Sequence, residues 1–223
     1  MATIRKITFQ DGEIYHVFNR GLDRRSTFTD KKEFERFQKL IKFYRHIDIP
    51  IRFSQVNHQP QEIREKILTD LYKSGRMIDI LSYCIMPNHI HFLLKQTEEK
   101  GISTFISNIT NAYTKYFNTK NKRIGPLFEG VFKAVHIESE EQLIHVSRYI
   151  HLNPVASGII PDEELEDYRW SSYPEFLSLS SEEISQREFI LNMFKSPNAY
   201  REFVNNQIDY AKKLDAIKHL ILE

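Results

Sequence analysis

Apolar positions along the chain recur with two periods, and the switches between them mark out the elements. Residues 13–19, Glu-Ile-Tyr-His-Val-Phe-Asn, are rich in aromatic and β-branched side chains and close on Arg20-Gly21, which predicts a strand. From Asp30 to Ile47 the apolar residues Phe34, Phe37, Leu40, Ile41 and Tyr44 fall at three- and four-residue spacings. With Asp30 as N-cap and Glu33 three residues on, this is an amphipathic helix. Residues 51–56 alternate loosely, in the manner of a strand, and residues 61–74 set Ile63, Ile67, Leu68 and Leu71 on one helical face. Two apolar runs, 78–86 and 89–95, are joined by Pro87-Asn88 and predict a hairpin. Residues 102–118 return to the helical period, and 128–137 read as a strand with Gly130 inside it. Ser139-Glu-Glu-Gln142 is a capping-box pattern opening another helix, which Pro154 is expected to end or kink near Asn153. Two further helices, about 182–194 and 198–222, complete the tail.

Without the material at about 50–77, the centre reads β-α-β-β-α-β followed by a helix. That order predicts an α+β fold: a ferredoxin-like antiparallel sheet with helices on one face, a helical insertion at about 50–77 and a C-terminal helical tail. The expected division is a main domain over residues 1–176 and an extension over 177–223. No internal repeat is visible.

Composition narrows the class. Of 223 residues, 61 are charged and 41% are apolar, with only 7 Gly and 8 Pro, so the chain has the make-up of a globular core rather than of a disordered or fibrous one. The longest uncharged run, Ile80 to Leu94, is short for a bilayer span and holds a Pro and two His. Residues 1–6 show no secretory signal, and the single Cys84 cannot form an internal disulfide, so a reducing cytoplasm is the expected location and no membrane partner is expected. The net charge of +1 gives no global sign of nucleic-acid binding. Locally, Lys115, Lys120, Lys122, Arg123 and Lys133 stand against the single acid Glu129, and Arg20, Arg24 and Arg25 form a second basic cluster.

Two constellations carry candidate chemistry. In His89-Ile90-His91 the alternation of a strand puts both imidazoles on one face, about 6.5–7 Å apart along the strand, where they suit one divalent ion. The plainer reading is a pair of core histidines bonded to backbone carbonyls. In Tyr149-Ile-His-Leu-Asn153-Pro154, the phenol and the amide share a helix face. Beside a metal-bearing sheet, that phenol becomes a nucleophile toward phosphorus, because a bound ion offsets its ordinary pKa near 10; the plainer reading is an aromatic packed on the sheet. His16 lines such a site or packs on its strand, and His145, four residues before Tyr149, is a weaker candidate for proton transfer, as are His136 and Glu138 for the ion. Tyr113 and Tyr116, at helical spacing with Ile109 and Phe117, read as core or groove wall.

Taken together the motifs are specific. Tyr15-His-Val-Phe-Asn-Arg-Gly21, the stretch from Tyr83 through Met-Pro-Asn-His-Ile-His to Leu94, Gly125-Pro-Leu-Phe-Glu-Gly-Val-Phe-Lys-Ala134, Arg148-Tyr-Ile-His-Leu-Asn-Pro-Val155 and Trp170-Ser-Ser-Tyr173 run in one order over about residues 13–176. The chain resembles the single-tyrosine HUH-type transposases, and among them the REP-associated tyrosine transposases of the IS200-like group. The resemblance implies a nuclease domain that cuts and rejoins single-stranded DNA beside an imperfect hairpin through a 5′-phosphotyrosine link. It places Tyr149 as nucleophile, His89, His91 and Asn153 as ligands of Mg²⁺ or Mn²⁺, and Arg20 with the Lys115–Lys133 cations on the DNA. Some members of the family are homodimers and others monomers. Two rival readings stay open: a hairpin-binding relative that no longer cuts, and a phosphodiesterase using water as nucleophile.

Overall fold

The computed structural model describes residues 8–221, with side chains described through residue 215. The reading of residues 1–6 and the last residue of the predicted final helix, Leu222, lie outside the described residues. Strand β1 (Ile14–Arg20) precedes helix α1 (Lys31–Tyr44), a short helical turn α2 (Phe53–Val56) and helix α3 (Gln61–Lys73). The hairpin β2 (Ile78–Met86) and β3 (His89–Gln96) follows, then helix α4 (Gly101–Lys120), strand β4 (Lys133–His136) and helix α5 (Glu140–Ala156). The C-terminal part holds the short helices α6 (Tyr173–Phe176) and α7 (Glu188–Leu191), then α8 (Pro197–Asn205) and α9 (Ile208–Ile221).

The strands form one sheet in the order β2-β3-β1-β4, every pairing antiparallel, which is the ferredoxin-like arrangement expected. The two faces have different covers. Tyr15, Val17, Tyr83, Ile85, Ile90 and Phe92 pack against α1 and α4 through Phe37, Ile41, Phe105 and Ile109. On the opposite face Leu81, Cys84, Met86 and Leu93 meet Leu143, Ile150, Leu152 and Val155 of α5, together with Tyr173, Phe176, Tyr200 and Val204 of the C-terminal elements. The expectation had helices on one face; α1 and α4 occupy it, while α5 and the C-terminal helices cover much of the other. That second face carries the histidine pair.

Several element bounds differ from the expectation for local reasons. Residues 53–56 are helical because Phe53 and Val56, three apart, both bury against the first core, and Gln55 Oε1 accepts from the Arg52 N–H at 3.1 Å. The strand expected over 128–137 is paired as a ladder only at Lys133–His136. Upstream, the chain around Gly130 holds to the β1 end by single links, Glu129 N–H to Arg20 O at 2.7 Å and Leu22 N–H to Leu127 O at 2.9 Å. Of the helix expected over 182–194 only Glu188–Leu191 is helical, because residues 184–186 are drawn out along the sheet. There Gln186 N–H donates to Ile80 O at 2.7 Å and Arg45 Nη1 to Ile184 O at 2.8 Å. The last helix is two, α8 and α9. Pro154 lies inside α5, close enough to its end that the helix runs on to Ala156.

Candidate active site

Register places the site. Phe18 pairs with His91 and Arg20 with His89 across β1–β3, and Phe18 pairs with Lys133 across β1–β4. Alternation therefore brings His16, Phe18, Arg20, His89, His91 and Lys133 to one face. The His89 and His91 rings are 4.9 Å apart between centroids and nearly perpendicular, at 85°. Above them runs α5. Its first turn is fixed by the expected cap: Ser139 Oγ accepts from Gln142 N–H at 3.1 Å, and Gln142 Oε1 accepts from Glu138 N–H at 2.8 Å. Leu143, Ile150, Leu152 and Val155 then bury against the sheet, which leaves Tyr149 turned to the β3–β1 seam. Its ring stands edge-on to His91, with centroids 5.6 Å apart, and to His16, at 5.9 Å. Asn153, one turn later, donates from Nδ2 to Tyr149 O at 2.9 Å, so its amide oxygen is the atom with lone pairs to offer.

Tyr149, His89, His91, Asn153, His16, Arg20 and Lys133 all line a single cleft of about 730 Å³. Its cations are Arg20, Arg24 and Lys133, and its acids are Glu129 and Asp215. The His16 and His91 rings lie end to end, with centroids 5.2 Å apart, planes at 19° and His16 Nε2 3.0 Å from His91 Nδ1. Burial pulls the His16 pKa down to about 4, so this ring is neutral near pH 7. His89 Nδ1 lies 2.6 Å from Asn88 Oδ1. Among the described residues no group of three or more His, Cys, Asp and Glu side chains is arranged to hold a metal.

The structure brings Tyr149, His89, His91, Asn153, Arg20 and Lys133 together, and it does not bring the α4 cations to them. Lys115 and Lys120 lie on α4, Lys122 and Arg123 just beyond its end, and α4 packs on the other face of the sheet. Lys120 Nζ binds Asp30 Oδ2 at 2.5 Å and Glu33 Oε1 at 2.7 Å, and Arg123 lies over the Phe117 ring. The lesser candidates have other occupations. His145 Nδ1 accepts from Arg148 Nη2 at 2.7 Å, and His136 Nε2 meets Glu13 Oε2 at 2.8 Å. Tyr113 is core, its hydroxyl donating to Thr27 O at 2.6 Å. His151 is fully buried between Ser172 and Tyr200, and burial lowers its pKa to about 3. Of the other residues lining the cleft, the sequence marks His16 as a weaker candidate, Arg24 as part of a basic cluster, Asn88 as a turn residue and Glu129 as an isolated acid, and none of these readings fixes a part for them at the histidine pair. Besides its membership of the Tyr15–Gly21 motif, His16 is marked only by its odd-even place on β1, which means nothing until the register with β3 is known.

A four-stranded antiparallel sheet with a helix-borne phenol over two imidazoles is the arrangement expected of a tyrosine transposase. The profile of the IS200-like transposases matches residues 11–153, and the chain belongs to that family. A solved REP-associated tyrosine transposase bound to a REP hairpin is similar in fold, with a TM-score of 0.51 at 14% identity, covering 84% of this chain and 98% of that one. A putative transposase from Deinococcus radiodurans R1 gives a TM-score of 0.36 at 14% identity, covering 67% of this chain and 95% of that one. No curated protein matches. No helix among the described residues is long and apolar enough to cross a membrane.

Proposed function

We propose that this transposase cuts and rejoins single-stranded DNA beside a hairpin, with Tyr149 as nucleophile and a divalent ion, Mg²⁺ or Mn²⁺, held by His89, His91 and Asn153. One observation carries the reading: the Tyr149 ring stands over the His91 imidazole, 5.6 Å between centroids, in the cleft that His89 and Asn153 also line. The donors suit such an ion. Two imidazole nitrogens and an amide oxygen leave positions open for phosphate and water.

When bound, the ion draws charge from a phosphate oxygen and makes phosphorus more electrophilic. Tyr149 Oη forms the new bond to phosphorus as its proton passes to water. The bond from phosphorus to the 3′-oxygen of the preceding nucleotide breaks, and that oxygen takes up a proton. The products are a 5′-phosphotyrosine and a free 3′-OH. Attack by a 3′-OH reverses each change and returns the phenol proton, so one phosphate ester replaces another and no nucleotide cofactor is required. Arg20, Arg24 and Lys133 supply charge for the flanking phosphates. Hairpin DNA is the substrate of choice because the transposase of similar fold was solved on a REP hairpin; the cytoplasm is where such DNA is met.

Hairpin-flanked oligonucleotides incubated with protein and Mn²⁺ test this. Denaturing gels are expected to show a covalent protein–DNA adduct that is lost in Tyr149→Phe. An adduct that survives in that variant, or multiple turnover with none, overturns the assignment.

A further inference from the structure

Each imidazole of the pair is tied at the same ring nitrogen, His89 Nδ1 to Asn88 Oδ1 and His91 Nδ1 to His16 Nε2. Resting on the reading that these rings hold an ion, we infer that His16 is a positioning residue: its Nε2 accepts a hydrogen bond from His91 Nδ1 and thereby commits His91 Nε2 to the metal.

A neutral imidazole has one protonated and one bare nitrogen, and only the bare one binds a cation. For His89 the choice is made by an amide. Asn88 Nδ2 donates to Arg24 O at 3.3 Å, which turns Oδ1 to His89. An oxygen there can only accept, so His89 Nδ1 carries the proton and Nε2 the lone pair. The His91 partner is another imidazole, able to donate or accept, so the form of His91 depends on how His16 is held.

The fold holds it closely. His16 shares a face with Phe18, the residue opposite His91, and its ring lies 5.1 Å from Phe18, 5.2 Å from His91 and 5.9 Å from Tyr149 between centroids. The 19° angle between the two imidazoles keeps the nitrogens at 3.0 Å without requiring either ring to tilt. Outer partners of this kind fix ring orientation and raise ligand basicity, and their loss weakens metal binding about 10- to 100-fold.

Two measurements test the role, neither of which needs DNA cleavage. Ring ¹⁵N NMR on the metal-free wild type, with His91 identified by substitution, is expected to show His91 protonated on Nδ1. Mn²⁺ titration followed by EPR is expected to give about 10- to 100-fold weaker binding in His16→Leu. His16→Gln, whose amide oxygen can accept the same hydrogen bond, is expected to recover most of the loss. A wild-type His91 protonated on Nε2, or Mn²⁺ affinity unchanged in His16→Leu, overturns the inference while leaving the metal reading intact. A wild type that binds no Mn²⁺ overturns the metal reading and this inference with it. Should His16→Leu fail to fold, the wild-type NMR spectrum and the Gln variant decide.

Discussion

Asn153 is held by its nitrogen and offers its oxygen, and that division has a measurable consequence. The Nδ2–Tyr149 O hydrogen bond spans one helical turn near the end of α5, where alanine is a good helix former. Asn153→Ala therefore removes a donor atom from the cleft at little cost to the fold. Mn²⁺ affinity is expected to fall about 10-fold, equivalent to about 1.4 kcal/mol, with the melting temperature nearly unchanged; equal affinity in the two proteins would remove Asn153 from the ligand set. Asn153→Asp keeps an oxygen and adds charge, so it is expected to bind Mn²⁺ at least as well as the wild type. Tyr149, His89 and His91 could be singled out in the sequence because their short motifs follow one another in the order on which the family resemblance rests; spacing alone sets a shared face and leaves the role open. The parts of Asn88 and His16 were not legible, since they depend on an amide orientation and on a strand register that brings together residues 16 and 91.

At the level of elements, the basic stretch divides between two places, an ion-pair cluster at the start of α1 and the cleft. Lys120, at the end of α4, reaches the start of α1, where it binds Asp30 and the Glu33 carboxylate, whose side chain is wholly buried. The same carboxylate accepts from Thr29 N–H at 2.6 Å and Thr29 Oγ1 at 2.9 Å. Removing the ammonium leaves a buried negative charge with neutral donors only. Lys120→Ala is accordingly expected to lower the melting temperature and to leave the salt dependence of hairpin binding unchanged. Lys133→Ala, in the cleft, is expected to leave stability alone and reduce that salt slope by about 1. A reversed pattern would return Lys120 to the DNA surface and take Lys133 from it. The long periodic segments, α1, α4 and the β2–β3 hairpin, were legible because local pattern and tertiary packing agree there. Residues 128–132 and 180–187 were not, because their conformation is dictated by partners far along the chain: Arg20 for the first, Ile80 and Arg45 for the second.

In the whole molecule, one buried acid adds to the apolar and backbone contacts that bind the C-terminal segment to the sheet. Glu175 accepts from Tyr83 Oη at 3.0 Å, from Ser185 N–H at 2.8 Å and from Ser185 Oγ at 2.7 Å, so a single carboxyl joins β2, α6 and the extended 184–186 strap. Burial raises its pKa above the ordinary carboxylate value, and the hydrogen bonds from Ser185 and Tyr83 oppose that rise without cancelling it. The folded protein therefore keeps the Glu175 proton to a higher pH than the unfolded chain does. Between the unfolded pKa and the raised one, the folded state binds more protons, so this group's contribution to stability is complete below about pH 4 and is lost as pH climbs through the raised value. Glu175→Gln keeps an acceptor oxygen and cannot ionise. Urea midpoints measured from pH 4 to 8 are expected to show the wild type losing ground to Glu175→Gln as pH rises, the difference levelling off once the carboxyl is fully ionised. Parallel curves would mean that Glu175 titrates as it does in the unfolded chain, and that the strap is held by hydrogen bonding in which its charge plays no part.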